Sequence, residues 1–409
     1  MQCGLLGRKL GHSYSPQIHA AMADYDYSLF EREPNDLSDF LRNGCFMGLN
    51  VTIPYKKDVI AYCDELSPIA KKLGAVNTLV RRNGKLIGHN TDYFGFMTML
   101  THSGLKVAGK KVLILGSGGA SATVTAVLES MQAIPVVISR NGEYNYQNLH
   151  LHADASVVVN ATPVGMYPNN GVSPIDLDLF PSLEGVLDLI YNPARTKLLQ
   201  DAQKRGLVAA NGLLMLVAQA KESAEWFTNK QIPEDVIAHI YGRLRLQMEN
   251  IVLIGMPGCG KTTVGRIVAQ KLNRPFIDVD AEIVHTTGKS IPEIFSESGE
   301  TGFRKIETET LAKVCKESGS VISTGGGCVT VQENYPLLNQ NSSIIWLQRD
   351  LNLLPTDGRP LSVKNKINAM YEVREPLYRA YSDYVMANDS SADIAANRIL
   401  SLLTEDDQL

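Results

Sequence analysis

Residues 250–263, NIVLIGMPGCGKTT, decide the fold. The apolar run from Asn250 to Ile254 reads as a buried strand. A turn of the form GxxxxGK[ST] follows, with Gly255, Gly260, Lys261 and Thr262 at its fixed places, and TVGRIVAQKL then has the pattern of a helix. In that setting the loop from Gly258 and Cys259 through Thr262 and Thr263 turns backbone amides toward phosphate oxygens at the positive end of the helix. The Lys261 ammonium reaches the outer phosphates and the Thr262 hydroxyl ligates magnesium. The stretch therefore calls for ATP and Mg2+ in a parallel α/β domain.

Upstream, VLILGSGGASATVTAVLES (112–130) repeats the strand-turn-helix plan with different chemistry. Gly116, Gly118, Gly119 and Ala120 leave room for a pyrophosphate against the helix start, although Ser121 takes the place of the third glycine of GxGxxG. A tight βα turn without a ligand explains the same residues. About 20 residues on, the strand IPVVISRN ends in Ser139 and Arg140, where an NAD site carries an acid. An arginine there suits a 2'-phosphate and favours NADP(H), or else it is a solvated strand-end charge.

Two such signatures imply two nucleotide domains, with a boundary near residues 246–250 after IAHIYGRLRLQME and no Pro-, Gly- or Ser-rich linker. A length of 409 residues agrees with two or three units. Elsewhere VVVNAT, VLDLIYNP and TKLLQDAQKRG alternate in the rhythm of parallel α/β architecture, and the chain reads as α/β throughout. With 44% hydrophobic and 20% charged residues, both units have material for a core. Lysine plus arginine number 39 against 43 acidic residues, so no basic field draws nucleic acid or anionic lipid. Cys3, Cys45, Cys63, Cys259, Cys315 and Cys328 lack metal-ligand spacing, as expected of reduced thiols in a cytoplasm. No run approaches the about 18 apolar residues of a membrane helix.

Two further sets of residues carry chemistry. GLNVTIPYK (48–56), GAVNTL (74–79) and HNTDYFG (89–95) gather polar side chains between apolar runs, as loops lining a pocket do. Carbonyl reduction needs a proton donor beside the hydride acceptor, and Lys56 with Asp92 forms such a pair. Read singly, Lys56 is a surface lysine beside Lys57 and Asp92 a helix cap. In the second half, Asp278 and Asp280 end the strand PFIDVD, where alternation puts them on one face. Arg304, Arg359 and Arg374 offer planar forks for an acid group, or else make surface ion pairs of little worth. Gly325, Gly326 and Gly327 form a glycine triplet that is either part of the site or a plain turn.

These motifs in order make residues 1 to about 245 resemble the shikimate dehydrogenase family over its whole length. The resemblance implies a substrate part at about 1–102 and 213–245, and a Rossmann NADP-binding part at about 103–212. It implies that Ser13 and Ser15 of GHSYSP, with Asn50, Thr52, Asn77, Tyr191 and Gln219, bind substrate around the catalytic Lys56 and Asp92. Thr162 of NATPVGM and Gly212 of NGLLMLVAQA fall on the cofactor side. Residues 250 to about 404, in a domain extending to 409, resemble shikimate kinase. Asp278 is then expected near magnesium, Asp280 on the accepting hydroxyl, and Arg304, Gly326 and Arg374 on the substrate carboxylate, with Arg359 as a catalytic lid arginine. Together they imply a bifunctional enzyme that reduces 3-dehydroshikimate to shikimate with NADPH and phosphorylates shikimate with ATP. The rival readings are a quinate/shikimate dehydrogenase of broad specificity fused to a kinase, or one half kept as a non-catalytic binding module. Small-molecule substrates are the expected partners, with no nucleic acid and no membrane, and oligomerisation is left open.

Overall fold

Among the described residues, apolar runs bounded by turns become the strands of three sheets. The computed structural model describes residues 2–11, 13–354 and 364–405. Met1–Gly165, Gly171–Tyr191 and Asp201–Tyr241 form one compact unit; Met166–Asn170, Asn192–Gln200 and Gly242–Leu409 form the other.

In the first unit, β1 (Gln2–Gly7), β2 (Asp26–Glu31), β3 (Gly48–Val51), β4 (Glu65–Leu66), β5 (Thr78–Arg82) and β6 (Lys85–His89) lie in the order β2-β1-β3-β5-β6-β4. β1 runs parallel to β2 and β3, but β5 is antiparallel to both β3 and β6. This sheet is therefore mixed, within the α/β class expected. The cause is local: Asn83 and Gly84 take φ of +51° and +79°, a two-residue turn whose twist suits a hairpin.

The same unit carries β7 (Lys111–Leu115), β8 (Ile134–Ile138), β9 (Val157–Asn160), β10 (Gly185–Asp188) and β11 (Val208–Ala210), all parallel in the order β11-β10-β9-β7-β8. Val112–Leu115 and all of β9 and β10 are buried, as strands covered on both faces must be. The helices Asp92–His102 and Leu213–Thr228 pack closely at Gly95, where a Cβ would lie 2.7 Å from the Met215 carbonyl oxygen and 2.9 Å from Gln219 Cβ. That approach sets Asp92, at the start of one helix, on the side where the other presents Gln219.

The helix Asp235–Met248 is separated only by Glu249 from the first strand of the third sheet. That sheet holds β12 (Asn250–Ile254), β13 (Phe276–Asp278), β14 (Val321–Ser323), β15 (Ser342–Gln348) and β16 (Tyr384–Ala387), parallel in the order β13-β14-β12-β15-β16. Ile251–Ile254, Val321, Ile322 and Ile344–Leu347 form its buried centre with Trp346 and Tyr378. Among the described residues no helix is long and apolar enough to cross a membrane.

Candidate active sites

β3 delivers Asn50, and the turn after it delivers Lys56. Lys56 is placed by its backbone: its carbonyl accepts from Val76 N at 2.7 Å, while the preceding Tyr55 is buried with its hydroxyl on the Arg32 carbonyl at 2.5 Å. Lys57 next to it is exposed. Lys56 Nζ meets Asp92 Oδ2 at 2.5 Å, with the carboxylate side chain 16% exposed. The Asn90 side chain takes the turn at the helix start, accepting from Asp92 N at 3.1 Å, so the Asp92 carboxylate is left for the lysine. The two form a partly buried ion pair at a helix start that has no side-chain cap bond.

Around the pair, polar side chains hold one another in fixed poses. Asn77 Oδ1 accepts from Thr91 N at 2.7 Å and from the Thr78 hydroxyl at 3.0 Å, and its amide nitrogen donates to Thr91 Oγ1 at 3.1 Å. Asn50 Oδ1 accepts from the Tyr27 hydroxyl at 2.8 Å, and Ser15 lies beside that hydroxyl. Ser13 Oγ accepts from Ser15 N at 3.2 Å at the start of the helix Ser15–Met22. Tyr14 between them meets the edge of Tyr191, ring centroids 6.3 Å apart, and burial raises both phenols above their ordinary range. Thr52 is half-buried in the turn leading to Lys56.

Next to Tyr27, His19 is fully buried, stacked on that ring at 4.1 Å, with Nδ1 on the Tyr25 hydroxyl at 2.5 Å. Burial pushes its imidazole down to about 3. The folded pKa lies below the unfolded value of 6.5, so the unfolded chain binds more protons between them and stability falls as pH drops through that window. From pH 7 to pH 5 this group alone is expected to cost the first unit about 2 kcal/mol. His19→Phe keeps the stack on Tyr27 and should remove that part of the slope in urea melts at the two pH values. Equal slopes for both proteins would show that His19 is not the group responsible.

On the cofactor side, Gly116 follows β7 with φ of +104°, Gly118 precedes the helix Gly119–Ser130, and Gly118, Gly119 and Ala120 are exposed. A Cβ at Gly118 or Gly119 would meet nothing within 4 Å, so backbone amides at a helix start stand open to a pyrophosphate, which fits NADP(H). Thr162 donates its hydroxyl to Asn160 Oδ1 at 2.7 Å and keeps its methyl toward Gly116, where a Cβ would lie 2.9 Å from it. Ser139 and the exposed Arg140 follow β8, and Gly212 caps the helix Leu213–Thr228.

In the second unit a cavity of about 420 Å³ brings together Gly258, Lys261, Thr262, Asp278, Asp280, Arg304, Gly326 and Arg374. Gly258 and Gly260 take φ of +82° and +101°, which shapes the loop ahead of the helix Lys261–Leu272. The buried Lys261 ammonium donates to the carbonyls of Gly255 at 2.9 Å and Met256 at 3.1 Å. Thr262 donates to Asp278 Oδ2 at 2.8 Å. A hydroxyl and a carboxylate in contact at the end of a phosphate-binding loop fit magnesium, which Thr262 and Asp278 would hold and which would neutralise phosphate charge. Asn388, which no motif singled out, braces the loop by donating to the Cys259 carbonyl at 2.8 Å, while Thr263 lines the cavity.

One expectation is corrected here. Asp278 ends β13 and caps the next helix, accepting from Ala281 N at 3.3 Å, so Asp280 lies in the first turn of Val279–Thr287 and not on a strand. The two carboxylates reach one cavity through a strand-to-helix turn, not through β alternation.

Arg304 pairs with Glu307 at 2.7 Å and Glu300 at 3.2 Å. Glu307 is fully buried, and burial pushes its carboxyl above the ordinary range against the pull of Arg304. The glycine triplet is more than a turn: a Cβ at Gly325 would meet Glu307 Oε1 at 2.5 Å and Asp280 Oδ1 at 3.1 Å, one at Gly326 would meet Pro257, and one at Gly327 would strike Arg304. The Gly326 carbonyl accepts from Arg374 at 3.1 Å and from the Tyr378 hydroxyl. Arg359 lies outside the described residues.

Comparison with known proteins bears on both units. Residues 5–79 match the family model for the shikimate dehydrogenase substrate binding domain. The NADP(+)-dependent shikimate dehydrogenase of Symbiobacterium thermophilum is 35% identical over 267 residues, 57% of this chain and 91% of that protein. The chain belongs to the shikimate dehydrogenase family. In this dehydrogenase chain, residues 257–404 match the shikimate kinase family model, so both domains stand on one polypeptide. Shikimate dehydrogenase 1 of Peptoclostridium difficile superposes with a TM-score of 0.54 at 37% identity, covering 60% of this chain and 98% of that one. A chorismate mutase/shikimate 5-dehydrogenase fusion protein from Clostridium acetobutylicum does so with 0.56 at 38% identity, covering 59% and 96%.

Proposed function

We propose that the first half reduces 3-dehydroshikimate to shikimate and the second phosphorylates shikimate at its 3-hydroxyl, in a cytoplasmic, bifunctional enzyme. NADPH supplies the hydride, ATP the phosphoryl group, and magnesium neutralises phosphate charge. The observation that carries the reading is that two sets of reacting groups occur on one chain, the Lys56–Asp92 pair and the Lys261–Thr262–Asp278 loop site. Lys56 gives its proton to the carbonyl oxygen as that oxygen becomes a hydroxyl, and Asp92 holds the ammonium in line. Ser13, Ser15, Asn50, Thr52, Asn77, Tyr191 and Gln219 hold the ring substituents. In the kinase half, Asp280 orients the attacking hydroxyl, while Arg304, Arg374 and the backbone of Gly326 hold the carboxylate. Lys261 and the loop amides stabilise the charge on the transferring group, so catalysis there is mainly positioning and electrostatics.

Initial rates with shikimate and quinate, each with NADP+ and NAD+, test the first half, and ADP formation with and without shikimate tests the second. Shikimate with NADP+ is expected to give the highest kcat/KM, and ADP to form only with shikimate. Quinate turnover equal to that of shikimate would make the first half a broad-specificity enzyme, and absence of shikimate-dependent ADP would make the second a binding module.

A further inference from the structure

Ser223 lies one turn beyond Gln219 on the helix Leu213–Thr228 and is fully buried. Its hydroxyl donates to the Gln219 carbonyl at 2.9 Å and accepts from Asn50 Nδ2 at 2.7 Å. The hydroxyls of Thr78 and Thr91, both fully buried, stand 3.1 and 3.0 Å from it. Those threonines contact Asn77, and Thr91 also reaches Gln219 Oε1 at 3.4 Å. One serine thus joins segments bearing three expected substrate-binding carboxamides.

The polarity of these bonds decides what the serine does. A hydroxyl has one proton and two lone pairs, and this proton has three acceptors in reach, the Gln219 carbonyl and the Thr78 and Thr91 hydroxyls. With the proton spent on any of these the hydroxyl accepts from Asn50, whose NH2 turns to Ser223 and whose oxygen turns to the Tyr27 hydroxyl. A flipped Asn50 amide would set its oxygen against the serine's lone pairs. We infer that Ser223 is a positioning residue of the dehydrogenase site, fixing which face of Asn50 a polyhydroxylated acid meets.

This rests on the proposed dehydrogenase reaction, and the full-length chain tests it. Ser223→Ala, a good helix former, should raise the KM for shikimate about tenfold while kcat changes less than about threefold and the KM for NADP+ stays within about twofold. Ser223→Cys keeps the volume with a weak acceptor and should move the same constant in the same direction, which preserves the test if the alanine variant does not fold. An unchanged KM for shikimate in the folded variant, or equal changes in all three constants, overturns the inference while leaving the reaction in place. A wild-type chain that does not reduce NADP+ with shikimate overturns the reaction and the inference together.

Discussion

Replacing Lys56 by alanine is expected to lower the dehydrogenase kcat about 10³-fold, since a positioned proton donor contributes some 10²–10⁴. The KM for shikimate should move far less, and kinase turnover of the same preparation should stay within about twofold. The expectation follows from the 2.5 Å contact with Asp92 and from the pinned backbone on either side, which leave the ammonium one place to act. Lys56→Arg should not restore the rate, because a guanidinium is not deprotonated under these conditions. A kcat within tenfold of wild type in steady-state assays would move the proton donor to another residue.

Lys261→Ala is expected to remove kinase turnover by at least about 10²-fold, the loss seen when one preorganised donor to a developing charge is deleted, while NADP+ reduction is spared. The lysine also satisfies the carbonyls of Gly255 and Met256, and orphaning buried acceptors costs about 1–3 kcal/mol each. Lys261→Met orphans the same two carbonyls but keeps most of the apolar stem, so its melting temperature, measured beside its turnover, reads the structural cost apart from the catalytic one. If a folded Lys261→Met chain phosphorylates shikimate at the wild-type rate, the loop is not the phosphate site.

The two nucleotide-binding turns were legible in the sequence because each combines a buried strand, small residues and a helix start within about 20 residues, and such local signals survive folding. Lys56 and Asp92 were legible as members of polar loops, but only the fold brings residues 36 apart in sequence into contact. The hairpin at Asn83-Gly84 has a readable signal in the dipeptide itself, since both residues tolerate the positive φ its turn needs. Asp280 was misplaced because FIDVD alternates like a strand, whereas Asp278 caps a helix and ends the alternation. Ser223 and Asn388 gave no local sign. A serine inside AKESAEW and an asparagine in MANDSSAD gain their roles solely from segments packed against them.

The central claim is that both reactions run in order on this one chain. It is tested most directly by supplying the purified protein with 3-dehydroshikimate, NADPH, magnesium and ATP and following NADPH loss, ADP formation and shikimate 3-phosphate together. The account predicts that all three proceed to the same final amount, with phosphorylation dependent on prior reduction. Shikimate that accumulates without ADP, or no loss of NADPH at all, would contradict it.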